Sequence, residues 1–144
     1  MTFLGLDLGS KTLGLSISDR TGLIATSLEV LRYSTYDELL DKLEIIINER
    51  KIDALVLGNP LNLDGSLSKR SEETLKFMEL LKERFSLDIY LQDERLSTVE
   101  AERMLINNNT TRKNRKKVID KIAAAIILQT FLDRRSNGKE FIDS

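Results

Sequence analysis

The chain has 144 residues, of which 41% are hydrophobic and 31% charged, the size and balance of one globular domain with a core of its own. It has neither cysteine nor histidine, which excludes disulfides, thiolate nucleophiles, Ser-His triads and His-ligated zinc. Lys plus Arg is 22 against 23 for Asp plus Glu, so any anion-binding surface has to be a local patch. No apolar run approaches the ~20 residues of a membrane span, and Asp7 and Lys11 interrupt the early apolar residues that a signal peptide would need. A cytoplasmic protein with no membrane partner is expected.

The first predicted element is a strand from Thr2 to about Ser10. With a period of two, Leu4, Leu6 and Leu8 face one way, and Phe3, Gly5, Asp7 and Gly9 the other. Asp7 is thus a carboxylate in an apolar strand with glycines as its same-face neighbours. A charge there is costly unless it is paired or bound to a cation. After a turn at Gly9–Thr12, Leu13, Leu15 and Ile17 alternate with small residues and predict a second strand in a hairpin with the first. Asp19–Gly22 turns the chain into a third strand, about Leu23 to Arg32. Ser34 or Thr35 can cap a helix from Tyr36 to Arg50 with the stripe Leu39, Leu40, Leu43, Ile46 and Ile47.

Asp53–Gly58 reads as a short strand buried on both faces. A loop through Asn59, Asn62 and Gly65 leads to a second helix, about Ser68 to Phe85, with Leu75, Met78, Leu81 and Phe85 as its apolar residues. Asp88–Gln92 is the fifth strand. Ser97 with Glu100 matches a capping box for a helix over Ala101, Met104 and Leu105. A polar, basic stretch from Asn107 to Lys117 precedes a last helix from about Val118 to Arg134, and Ser136–Ser144 reads as a frayed tail. The order βββαβαβαα implies an α/β domain over 1–144, a mixed five-stranded sheet in the order 3-2-1-4-5 with helices on both faces. Strands 1, 4 and 5 then run parallel and share a carboxyl edge, where open α/β sheets place their sites.

Three acidic positions can meet at that edge. Asp7 ends strand 1, the Asp93–Glu94 pair follows strand 5, and Asp120 lies in the first turn of the last helix. Asp120 shares a helical face with Ala123, Ala124 and Ile127, and alanines let a helix approach a sheet closely. Converging carboxylates repel one another unless a cation lies between them, and oxygen ligands suit Mg2+ or Mn2+. Such ions can activate water and stabilise the leaving oxygen of a phosphodiester.

The segments Asp7–Thr12, Gly58–Gly65, Asp93–Thr98 and Asp120–Ala124 occur in an order and spacing that resemble the bacterial YqgF family, first described as Holliday-junction resolvases and now regarded as pre-16S rRNA nucleases. The resemblance runs from about Thr2 to Leu132. It implies a ribonuclease H-like nuclease whose acidic set maps onto Asp7, Glu94 with Asp93 beside it, and Asp120. Adjacent residues at a strand end point opposite ways, and Glu94 is favoured over Asp93.

Arg112, Lys113, Arg115, Lys116 and Lys117 place five cations in six residues just before Asp120, a run suited to phosphates. Lys11 and Arg95 lie beside the proposed site, and Asn59 and Asn62 offer amide contacts to sugar or base edges. No aromatic-interleaved RNA-binding motif is present, so recognition is expected through backbone and shape. The expected substrate is structured RNA, at the 5′ end of pre-16S rRNA. The alternatives are a four-way DNA junction, which needs a symmetric dimer, and a ribosome-assembly factor that binds RNA without cutting it. A monomer and a homodimer are both compatible with the sequence. Asp7–Thr12 also resembles the first phosphate loop of sugar-kinase and actin-like ATPases, but those need two lobes and 144 residues supply one.

Overall fold

The computed structural model describes residues 1–62, 64–94 and 122–136. Five strands form one sheet in the order β3-β2-β1-β4-β5. They are β1 (Phe3–Leu8), β2 (Thr12–Ser18), β3 (Ala25–Arg32), β4 (Ala54–Asn59) and β5 (Asp88–Asp93). β1 pairs antiparallel with β2 and parallel with β4, and β4 pairs parallel with β5. The order and directions are those expected from the sequence. The third strand starts at Ala25 rather than Leu23, because Asp19 holds the preceding residues in a turn. Its Oδ1 accepts the N–H groups of Leu23 and Ile24, and its Oδ2 accepts the Thr21 hydroxyl. Gly22 takes the positive φ of 72° that this turn requires.

The helices lie on both faces. Leu4, Leu6, Leu8, Leu13, Leu15, Leu55 and Leu57 face α1 (Tyr36–Glu49) and α2 (Lys69–Arg84). Thr35 caps α1 by accepting the Glu38 N–H, and the buried residues of α1 are the five of the expected stripe. In α2 the buried face is Ser71, Thr74, Phe77 and Leu81. Of the residues expected there, Leu81 is buried, while Met78 and Phe85 pack at the margin of the core.

On the other face, Phe3, Ala54 and Val56 pack against Ile127, Leu128 and Leu132 of a helix, α3, that covers residues 122–136. An added Cβ on Gly5 would collide with Ser16 Oγ, and would lie 2.9 Å from Leu128 Cβ and 3.1 Å from the Ala124 carbonyl oxygen. That close approach is sealed by Ser16 Oγ, which donates to Ala124 O at 2.7 Å. Gln129 ties the helix to the sheet margin, its Oε1 accepting the Ala25 N–H and its Nε2 donating to Leu23 O. Ser136, expected in a frayed tail, is still helical. The helix expected after Ser97, the basic stretch, the start of the last helix and residues 137–144 lie outside the described residues.

Candidate active site

Asp7 is the penultimate residue of β1, on the face that carries Phe3 and Gly5. Its ladder partner is Gly14, where an added Cβ would lie 3.6 Å from Asp7 Cβ and 3.7 Å from Ala124 Cβ. Gly14 therefore lies beside both Asp7 and Ala124, and the half-buried Asp7 stands at the carboxyl edge of the sheet.

Glu94 reaches the same face by strand parity. Gly58 pairs with Gln92 and Asn59 with Asp93, so Gln92 and Glu94 share the side of Gly58 and α3, while Asp93 points the other way. The Glu94 N–H donates to Asn59 O at 3.2 Å, which extends the β4–β5 ladder by one residue. Its carboxylate sits over Gly58: an added Cβ there would run into Glu94 Oε2 and come within 2.6 Å of Ile127 Cδ1. Oε2 is buried with no hydrogen-bond partner among the described residues. Burial, reinforced by the negative charge of Asp7, pushes the Glu94 carboxyl up to about 7. Arg70 opposes the shift and Asp93 adds a smaller push in the same direction.

The remaining expected site residues fall into four cases. Lys11 is exposed on the turn after β1. Asn59 is only 9% exposed, and its Oδ1 also lacks a partner among the described residues. Asn62 braces its own loop, its Nδ2 donating to Ser66 Oγ at 3.0 Å and to Leu67 O at 3.4 Å, so its amide donors are already engaged. Arg95, Arg112, Lys113, Arg115, Lys116, Lys117 and Asp120 lie outside the described residues.

Arg70 was not among the expected residues. From the first turn of α2 its Nη2 donates to Leu8 O at 3.1 Å, next to Asp7 in the chain. A signal for it exists in the sequence: Lys69 and Arg70 follow the N-cap Ser68, at the helix end where cations are disfavoured.

Two carboxylates on one face, one with a buried oxygen that has no hydrogen-bond partner among the described residues, form a site that calls for a proton or a cation. Among the described residues no three carboxylates are grouped closely enough to hold a metal ion. Asp7 and Glu94 supply two hard oxygen donors, a type that suits Mg2+ or Mn2+.

A family model described as RuvX, Holliday junction resolvase, matches residues 1–134. A Geobacillus kaustophilus protein named "Putative pre-16S rRNA nuclease" is 50% identical over 137 residues, covering 94% of this chain and 99% of the relative. A Desulforamulus reducens protein of the same name is 46% identical over 133 residues, covering 92% and 97%. Among solved structures, T. thermophilus RuvC in complex with a Holliday junction substrate superimposes with a TM-score of 0.54 at 14% identity, covering 94% of this chain and 96% of that one. The fowlpox virus Holliday junction resolvase gives 0.52 at 10% identity, with coverages of 92% and 99%. At such identities the likeness is one of fold, the ribonuclease H-like arrangement of sheet and helices.

Proposed function

The chain belongs to the RuvX family, and from that premise we propose that it is a metal-dependent nuclease that trims the 5′ end of pre-16S rRNA in the cytoplasm. The relatives' names and the family description make it a hydrolase of phosphodiester bonds. One observation carries the site assignment: the buried Glu94 carboxylate, with Oε2 unpartnered among the described residues, stands on the same face as Asp7.

Asp7, Glu94 and Asp120 are the residues that would hold Mg2+ or Mn2+. Asp120 enters this set from the sequence, four positions before Ala124, which neighbours Asp7 across Gly14. When bound, the cation supplies an activated water and charge stabilisation at the leaving oxygen. The chain's own contribution is to fix the carboxylates. The β1–β2 ladder holds the backbone at Asp7, the Asn59 carbonyl holds the backbone at Glu94, and Gly58 leaves room for the Glu94 side chain. Asp93, on the opposite face, acts on Glu94 through its charge. Lys11, Arg95 and the cations of 112–117 would bind the phosphates of the strand, a backbone contact that positions without reading sequence.

The family description favours a second reading, resolution of four-way DNA junctions, which would require a symmetric dimer. Labelled precursor small-subunit rRNA and a four-way DNA junction, each incubated with Mn2+ or with EDTA, separate the two. Metal-dependent trimming of the RNA, abolished in Asp7→Asn and Glu94→Gln, is the expected result. Cleavage of the junction alone would move the assignment to the resolvase. Tight RNA binding with no cleavage under any divalent cation would leave a non-catalytic assembly factor.

A further inference from the structure

Lys69 and Arg70 lie side by side in the first turn of α2, where the helix macrodipole disfavours positive charge. Helix stability does not explain them, and their surroundings offer another reason. Together with Leu8, Gly9, Ser10 and Glu73 they line a cleft of about 430 Å3 between the end of β1 and α2.

Both walls of this cleft are fixed. On one, Arg70 is anchored through Nη2 to Leu8 O, and a guanidinium with one donor engaged keeps others for a ligand. On the other, the turn after β1 is stapled at both ends. The Gly9 N–H donates to Thr12 O at 2.7 Å, the Tyr33 hydroxyl donates to Gly9 O at 2.7 Å, and the Tyr33 N–H donates to Lys11 O. Glu73 is the acidic lining residue, and its charge is felt by Tyr33 and Tyr36. The cleft adjoins the carboxylate pair, because Leu8 follows Asp7 and the charge of Arg70 reaches Glu94.

We infer that this cleft is a subsite for a backbone phosphate of the substrate strand, one that flanks the bond being hydrolysed, with Lys69 and Arg70 as its ligands. The inference rests on the nuclease reading above and deepens it. Asp7 and Glu94 face α3, whereas the cleft opens between β1 and α2, so a strand seated in both crosses the carboxyl edge of the sheet. Arg suits this role because its planar donors match the oxygens of a phosphate, and Lys adds a point charge. A contact of this kind sets the register of the strand and carries no base preference.

The test is equilibrium binding, read apart from cleavage. Fluorescence anisotropy of a labelled pre-16S rRNA fragment is followed in EDTA from 50 to 200 mM KCl for the full-length protein. Lys69→Gln is expected to weaken binding roughly three- to tenfold and to lower the slope of log affinity against log salt by about 1. The double variant Lys69→Gln, Arg70→Gln should lower it by about 2, whereas Arg70→Lys, which keeps the charge, should restore most of the slope. Lys82→Gln, at the far end of the same helix and paired with Glu79, should match the wild type. Lys69 is exposed, so its single substitution leaves the fold intact even where Arg70→Gln disturbs the end of β1. If the wild type binds RNA and the Lys69 and double variants keep its affinity and slope, the subsite is refuted while the nuclease reading stands. If the wild type binds no RNA at any salt concentration, the nuclease reading fails and the subsite with it.

Discussion

A carboxylate buried over a glycine, beside a second carboxylate, carries a standing electrostatic penalty, and Glu94 is in that position. The penalty has a pH signature in the metal-free protein. At low pH Glu94 is protonated in both the folded and the unfolded chain, and its burial then carries no charge penalty. Between 4.5 and about 7 the unfolded chain releases the proton while the folded one retains it, so stability falls as pH rises through this window. At ~1.4 kcal/mol per pKa unit the loss is about 3 kcal/mol by pH 8. Urea unfolding in EDTA should therefore show Glu94→Gln more stable than the wild type at pH 8, with the difference gone at pH 4. Parallel pH profiles for the two proteins would contradict the placement of this carboxylate. Which face Asp7 occupies was readable from the alternation of Leu4, Leu6 and Leu8 with Phe3 and Gly5. The preference for Glu94 over Asp93 came from family resemblance. The Gly58–Gln92 pairing puts Glu94 on the side of α3 and Asp93 on the other, a register that no local pattern announces. For Arg70 the sequence offers only the sign of an unfavourable charge at a helix start, because its partner, Leu8, is 62 residues away in the chain.

The elements that build the site differ in how openly the sequence declares them. In α1 one face is simply apolar, and periodicity alone identifies it. In α2 the buried face includes Ser71 and Thr74, whose hydroxyls bond back to Ser68 O and Arg70 O. Polar residues that satisfy themselves within the helix look solvent-facing in a sequence, so the apolar residues Leu75, Met78, Leu81 and Phe85 indicate only part of the buried face. For α3 the important feature is the surface that receives it. Gly5 and Ser16 form a seat into which the Ala124 turn fits, and this brings Ala124 beside Gly14 and Asp7. Gly5→Ala should destabilise the protein by about 1–3 kcal/mol through overpacking. Because α3 would have to move away from Asp7, kcat should fall even under conditions where the variant is fully folded. Denaturant unfolding and single-turnover cleavage measure the two effects separately. A variant that is less stable yet cleaves at the wild-type rate would show that the α3 seat serves the core alone.

At the scale of the whole molecule, the sheet order was legible because each connection restricts it. Short turns impose antiparallel β1–β2–β3, and helical crossovers impose parallel β1–β4–β5. That topology gathers at one edge residues that are far apart in sequence: Asp7 from the first strand, Lys69 and Arg70 after the fourth and Glu94 after the fifth. The chain as a whole is nearly neutral, so any affinity of the proposed site for a cation would come from this local gathering, and a cation bound there would show itself in global stability. A ligand that binds only the folded state at a hundred times its Kd adds about 2.7 kcal/mol. For a domain of this size that amounts to a rise of roughly 5–10 °C in Tm. Differential scanning fluorimetry with Mn2+ should give such a rise for the wild type, and Asp7→Asn should remove it. NaCl at matched ionic strength should produce no comparable shift, because screening acts on exposed charges far more than on a half-buried pair. An equal Mn2+ response in wild type and Asp7→Asn would place the cation elsewhere on the molecule and remove Asp7 from the metal site.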